Sequence, residues 1–294
     1  MDTSVVARFE LFNPALSALF QELEGKKVFF LPNNGNAGDS LIAAATYQVL
    51  YYHKIKYQIC DTESLIEISN KVVILSGGGN LVPLYSGMAK NLRALIGRGN
   101  RIILLPHSIR GHEDLLQSLG PEVTLFCREL DSYEYLLKSA IKAQVGLGHD
   151  LALFLDVNLL RMSPGVAEAA RVQFIERLAE HATLRPEDIE NHSMQCIRGG
   201  AESTFKPKGR NYDVSVIFRT GIAPLDAEIG AWMMLEFARL AAEITTNRLH
   251  IGIASILCGT PTRLYDNKYG KISAVYNFSI KGNFKNVEML ATPT

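Results

Sequence analysis

The chain has 294 residues, of which 47% are hydrophobic, enough to bury a sizeable core and long enough for two domains. Thirty basic residues balance thirty acidic ones, which excludes a general attraction to nucleic acid or an anionic membrane and leaves anion binding to local clusters. The start, MDTSVVARFELFN, lacks the apolar core of a secretory signal, no run reaches the roughly eighteen apolar residues of a membrane span, and Cys60, Cys127, Cys196 and Cys258 form no C-x-x-C pair. A soluble cytoplasmic protein without a disulfide framework or metal site is therefore expected.

In chain order, short β-branched runs at 28–32, 57–60, 72–76, 101–106 and 123–127 alternate with helical patterns at 38–52, 84–98, 112–119 and 129–140. That alternation predicts parallel strands of a doubly wound α/β sheet. Gly120-Pro121 closes the third helix, and Asp131 and Ser132 lie near the start of the fourth. An amphipathic helix from Pro164 to His181 leads into a polar, Gly- and Pro-containing stretch, so residues 161–210 are expected to connect two domains, 1–160 and 211–294. The second is expected to hold a strand (212–219), a helix (226–241), a strand (243–245), a helix (248–258), a strand (261–265) and a helix from about Gly270. The tail from Gly282 onward is expected to fray.

Four stretches can carry chemistry. Asn33-Asn34-Gly35-Asn36-Ala37-Gly38-Asp39-Ser40 joins a strand to a helix, where free amides receive an oxyanion or hydroxyl; Asp39 either acts there or caps the helix. Ser76-Gly77-Gly78-Gly79-Asn80 ends another strand and suits either backbone contact with a ligand or a tight turn. Leu105-Pro106-His107-Ser108 sets a histidine beside a hydroxyl at a third strand end, able to orient a sugar or shuttle a proton. After a fourth, Arg128 and Glu129 either act or pair with each other. Thr246-Asn247-Arg248-Leu249-His250 is the strongest signal, with Arg219 upstream and Asp266-Asn267-Lys268-Tyr269-Gly270-Lys271 downstream. An arginine at a helix start fits a phosphate or carboxylate; its structural alternative is a bridge from Arg248 to Asp266.

The segments GNAGD, GGGN, LPHS, CRE with SYEYL, FR, RLH and DNKYGK, in this order and spacing, resemble the bacterial polysaccharide pyruvyltransferase family over residues 27 to 280. The resemblance implies two Rossmann-like α/β units similar to B-type glycosyltransferases with a cleft between them. It also implies transfer of a pyruvyl group from phosphoenolpyruvate to a sugar, with no separate cofactor. By the same resemblance Arg248 and His250 bind the donor together with Arg219 and Lys271; His250 is then the candidate general acid, because an imidazole titrates near neutrality, and Asp39 the candidate base. Asn36, Gly78, Asn80, His107 and Ser108 face the acceptor, expected to be a lipid-linked oligosaccharide at the inner face of the cytoplasmic membrane. The chain departs from its relatives in Asn247, where an aspartate is common, in Gly252, where a second histidine is frequent, and in Thr220-Gly221-Ile222, which delays the acids to Asp226 and Glu228. The competing expectations are a nucleotide-sugar glycosyltransferase and a non-catalytic carbohydrate-binding partner.

Overall fold

The computed structural model describes residues 3–292. The chain divides into two compact units, one holding the chain up to Asn33 with Ala45–Phe154, the other Asn34–Ala44 with Leu155 onward.

The first unit runs through α1 (Thr3–Phe12), α2 (Pro14–Glu22), β1 (Lys27–Leu31), the body of α3 (Ala37–Tyr52), β2 (Lys56–Ile59), β3 (Val72–Leu75), β4 (Gly78–Leu81), α4 (Gly87–Leu95), β5 (Arg101–Ile109), α5 (Glu113–Ser118), β6 (Val123–Cys127), α6 (Leu130–Lys138) and β7 (Gln144–Leu147). The expected strands and helices all form, with ends shifted by up to a few residues; α1, α2, β4 and β7 are additional. The two opening helices hide in sequence because their apolar stripe is short and broken at Asn13-Pro14, where proline begins α2.

Seven strands make a parallel sheet in the order β2-β1-β3-β5-β6-β7, with β4 pairing along the far end of β5. All five residues of β6 and all but the first of β5 are buried, as expected when helices cover both faces. Leu75, Leu104 and Leu125 pack with Leu92 of α4, Leu116 of α5 and Leu136 of α6, each contributing about 1.5–3 kcal/mol by leaving water. The chain passes outward from β1 to β2 and then returns to β3, so the order reverses between β1 and β3. Ligand crevices of open parallel sheets form at the carboxyl ends of such strands. The Asn33 and Gly77 loops leave the sheet there.

The second unit contains α7 (Val157–Met162), α8 (Pro164–Ala182), β8 (Ser193–Cys196), α9 (Val214–Ile217), α10 (Pro224–Leu240), β9 (Glu243–Thr246), α11 (Leu249–Cys258), β10 (Thr262–Leu264), α12 (Lys271–Val275) and β11 (Val287–Met289). Its parallel sheet has the order β11-β10-β9-β8. Cys196 of β8 and Leu264 of β10 both stand in register with Thr246 of β9, so the three strands end level. Residues 161–210 include α8 and the edge strand β8.

Two expectations are corrected here. Residues 212–219 carry the short helix α9 rather than a strand: Val214, Ile217 and Phe218 are buried while Val216 is exposed, a helical spacing that a run this short shares with alternation. Phe218 packs 5.4 Å from the Phe174 ring and 5.9 Å from that of Phe237. The tail does not wholly fray, because β11 pairs with β10; residues 293–294, like the first two residues of the chain, lie outside the described residues.

Candidate functional site

In the second unit, three segments distant in sequence meet. The first opens α3. Asn36 is its N-cap, with Oδ1 accepting from the Gly38 N–H at 2.8 Å, while Asp39 Oδ2 accepts from the Asn36 N–H at 2.9 Å. The Asp39 bond is the return half of a capping box, with the Asn36 side chain receiving the N2 amide in place of N3, so Asp39 does cap the helix. Gly38 is a point of close approach: a Cβ there would stand 2.5 Å from His250 Nδ1 and 3.0 Å from His250 Cβ. The first turn of α3 therefore lies directly on the His250 side chain. One residue further, the Ser40 hydroxyl donates to the Gly221 carbonyl at 2.9 Å.

The second segment is Arg219-Thr220-Gly221, which follows α9. Thr220 Oγ1 donates to the Asp226 carbonyl at 2.7 Å, and a Cβ on Gly230 of α10 would meet both Thr220 Oγ1 at 2.6 Å and Ser40 Cβ at 3.0 Å. The loop is thus held between α3 and α10. Arg219 at its start is exposed. Burial raises the Glu228 carboxyl above its ordinary range.

Thr246–His250, the third segment, joins β9 to α11. Thr246 Oγ1 donates to the Cys196 carbonyl at 2.6 Å and accepts from the Arg248 N–H at 2.9 Å, which fixes the turn. Arg248 is the N-cap residue of α11, and its guanidinium pairs with Asp213, not with Asp266 as the structural alternative supposed. Asp266 is instead occupied by the N–H groups of Asn267, Ile272 and Ser273 at 2.8, 3.1 and 3.2 Å. A side chain at Gly252 would place its Cβ 2.7 Å from Leu264 Cδ2; the close seat of α11 on β10 leaves no room there for a histidine.

Around this turn lie Arg198, Glu202 and Ser203, which the sequence reading did not single out. Asn247 Oδ1 accepts from the Arg198 N–H at 2.7 Å, and its Nδ2 donates to Ser203 Oγ at 3.1 Å. Arg198 Nη1 lies 2.5 Å and Lys271 Nζ 3.2 Å from the same Glu202 oxygen. Lys271 also reaches the Tyr269 hydroxyl at 3.0 Å. The missed signal was SMQCIR, a short strand followed two residues on by arginine, which parallels Glu243–Thr246 followed by Arg248.

The first unit holds a separate polar group at its switch point. His107 Nε2 lies 3.0 Å from the Asn80 N–H and 2.9 Å from Asn80 Oδ1. Asn80 Nδ2 donates to Asn33 Oδ1 at 3.1 Å. Gly78, at φ +147, would bring a Cβ within 2.9 Å of Asn33 Nδ2, so only glycine fits this backbone and this contact. Asn33, Gly78, Asn80 and His107 therefore form one cluster. Ser108 does not join it: its oxygen accepts from Arg128 Nε at 2.9 Å, and Arg128 Nη1 meets Asp150 Oδ2 at 2.7 Å. Arg128 and Asp150 are each 1% exposed. The alternative of an Arg128–Glu129 pair does not form, since Glu129 caps α6 by accepting from the Ser132 N–H at 2.8 Å and stands 3.5 Å from Arg110.

Among the described residues no helix is long and apolar enough to cross a membrane, and no group of three histidine, cysteine or acidic side chains is placed to hold a metal ion. Chemically, the second unit offers the N-termini of α3 and α11, an arginine at the latter, and a histidine between them. Such an arrangement receives an anion and can move a proton beside it.

The family model described as polysaccharide pyruvyl transferase matches residues 36–269. General stress protein 30 of Bacillus subtilis (strain 168) is 26% identical over 277 residues, covering 85% of this chain and 77% of its own length. A crystal structure of a functionally uncharacterized protein from Klebsiella pneumoniae subsp. pneumoniae NTUH-K2044 superimposes with a TM-score of 0.76 at 25% identity, covering 95% of this chain and 98% of that one.

Proposed function

The chain belongs to the polysaccharide pyruvyl transferase family, and on that premise we propose that it transfers the pyruvyl group of phosphoenolpyruvate to two hydroxyls of one sugar, forming a cyclic ketal. The observation that carries this reading is the meeting of Asn36–Ser40, Arg219–Gly221 and Arg248–His250 within the second unit. An anionic donor needs positive groups around its carboxylate and phosphate, and a proton source beside its methylene carbon.

In this reading Arg248 and Arg219 clamp the anionic donor, where fixed guanidinium charge balances its carboxylate and phosphate. His250 delivers a proton to the methylene carbon, for which an imidazole is suited near neutral pH. A sugar hydroxyl adds to the central carbon, and a second hydroxyl displaces phosphate. One hydroxyl proton ends on the new methyl group and the other on the released phosphate, so the balance closes. The donor is already the activated reactant, hence no separate cofactor is required. Asp39, in the turn of α3 whose Gly38 lies on His250, is the base for the attacking hydroxyl. Asn36 and the Gly78, Asn80 and His107 cluster serve the acceptor, proposed to be a lipid-linked oligosaccharide presented at the cytoplasmic membrane face.

The test is phosphate release from phosphoenolpyruvate across a panel of sugar acceptors, with thermal unfolding of the parent and Arg248→Ala measured with and without the donor. Ligand binding to the native state raises apparent stability. A donor-induced shift in the parent that Arg248→Ala abolishes supports the reading. A shift caused by a nucleotide sugar, with no response to phosphoenolpyruvate, sinks it in favour of glycosyl transfer.

A further inference from the structure

We infer that Arg198 is a further donor-binding residue, taking the donor phosphate together with Lys271, and that Glu202 positions both cations. This rests on the pyruvyl-transfer reading for the identity of the donor. The cation site itself rests on the following observations.

Cys196, Thr246 and Leu264 end three adjacent parallel strands in register. Arg198 and Arg248 each stand two residues beyond their strand, so the fold places two arginines on adjacent turns at the carboxyl edge of the sheet, where open α/β sheets bind ligands. The two turns are tied together, because the side-chain Oδ1 of Asn247, the neighbour of Arg248, accepts from the Arg198 N–H at 2.7 Å. The loop carrying Arg198 is also tied to the next strand's loop, with the Lys268 N–H donating to the Glu202 carbonyl at 3.0 Å.

Two features distinguish this cluster from a surface ion pair. The Glu202 side chain is 3% exposed and presents one oxygen to both Arg198 and Lys271. One carboxylate against two cations leaves net positive charge, which an incoming phosphate balances. The Nε atoms of Arg198 and of Arg248 are also buried, without a hydrogen-bond partner among the described residues. Buried charged donors are seldom left unpaired, and an anion drawing the two forks together supplies the missing acceptors. Arg198, Lys271 and Arg248 retain 21%, 14% and 11% exposure, a narrow edge through which such an anion makes first contact. Arg198 and Lys271 then hold the phosphate, a planar fork beside a point charge, and Arg248 the carboxylate.

Calorimetric titration of the parent, Arg198→Ala, Arg198→Lys, Glu202→Gln and Arg248→Ala with phosphoenolpyruvate, inorganic phosphate and pyruvate tests the assignment, with thermal unfolding recorded for each. Expected is a weakening of phosphoenolpyruvate and phosphate binding by about 10- to 100-fold in Arg198→Ala, partial recovery in Arg198→Lys, and pyruvate binding that depends on Arg248 but not on Arg198. Glu202→Gln, which keeps the side-chain shape, changes phosphate affinity while leaving pyruvate affinity alone. Should Arg198→Ala unfold, Arg198→Lys and Glu202→Gln decide the matter by the same phosphate-against-pyruvate split. Parent-like binding of phosphoenolpyruvate and phosphate by Arg198→Ala overturns the inference while leaving the pyruvyl-transfer reading in place. Phosphate binding that depends on Arg198 in a parent that ignores phosphoenolpyruvate keeps the anion site and removes the donor. Binding of neither ligand by the parent removes both.

Discussion

Replacing Gly38 by alanine sets two local effects against each other. In the first turn of α3, alanine is favoured over glycine by about 1 kcal/mol on helix propensity alone. The new Cβ, however, would lie 2.5 Å from His250 Nδ1, 2.9 Å from Asn36 Oδ1 and 3.0 Å from His250 Cβ. Ordinary carbon contacts begin near 3.5 Å, so His250 has to retreat by about an ångström. Rotating the ring does not suffice, because its Cβ is crowded too. Overpacking of this kind costs about 1–3 kcal/mol, leaving a net loss of roughly 0–2 kcal/mol once propensity is subtracted. The catalytic effect is larger: a displacement of about 1 Å in a positioned group costs on the order of 10²-fold in turnover. Gly165→Ala is the control, since a Cβ there meets nothing within 4 Å and α8 should simply gain from propensity. Chemical denaturation and phosphate release measured on both variants decide it. A Gly38→Ala protein as stable and as active as the parent would refute the close packing of α3 on His250 and its role in the chemistry.

Arg248→Lys keeps the charge but loses the planar fork that meets Asp213; kcat/KM should fall by about 10- to 100-fold with an unchanged unfolding midpoint, and parent-like kinetics would argue against a forked anion contact. Arg128→Met leaves Asp150 buried without its partner and should cost about 3–5 kcal/mol by urea denaturation, whereas Arg128→Met combined with Asp150→Leu should recover much of that loss; a double variant no better than the single would contradict the ion-pair account. Burial pushes the His149 imidazole down to about 4. Its folded value lies below the unfolded one near 6.5, so the unfolded chain takes up the proton first as pH falls. Its contribution is complete above about pH 6.5 and is lost toward pH 4, by roughly 3 kcal/mol at most. His149→Gln should flatten that part of the stability–pH curve, and an unaltered slope between pH 7 and 4.5 would disprove the assignment.

Much of the fold was legible because its signals are local. The runs at 28–32, 72–76, 101–106 and 123–127 are apolar on both faces, as strands covered by helices must be, and the Gly- and Asn-rich segments at their ends announced the loops. Residues 212–219 misled because four or five apolar positions fit a helix and a strand equally well; only packing of Phe218 against Phe174 and Phe237 chose between them. Asn36, Asp39, Arg248, His250 and Lys271 could be picked out as chemically able groups by type and by position at helix starts. Arg198 and Glu202 could not, because they lie in a stretch whose glycines and prolines read as a connection.

Sequence by itself thus determined the α/β class, the succession of most elements and the chemical character of the candidate groups, all properties of neighbouring residues. Tertiary structure alone decided partners. Arg248 faces Asp213 and not Asp266, Arg128 turns to Asp150 and Ser108, and Gly38 admits His250 from more than two hundred residues away. Which charge meets which depends on strand register and on how closely helices approach, and those are set by the packing of the whole core rather than by any one segment.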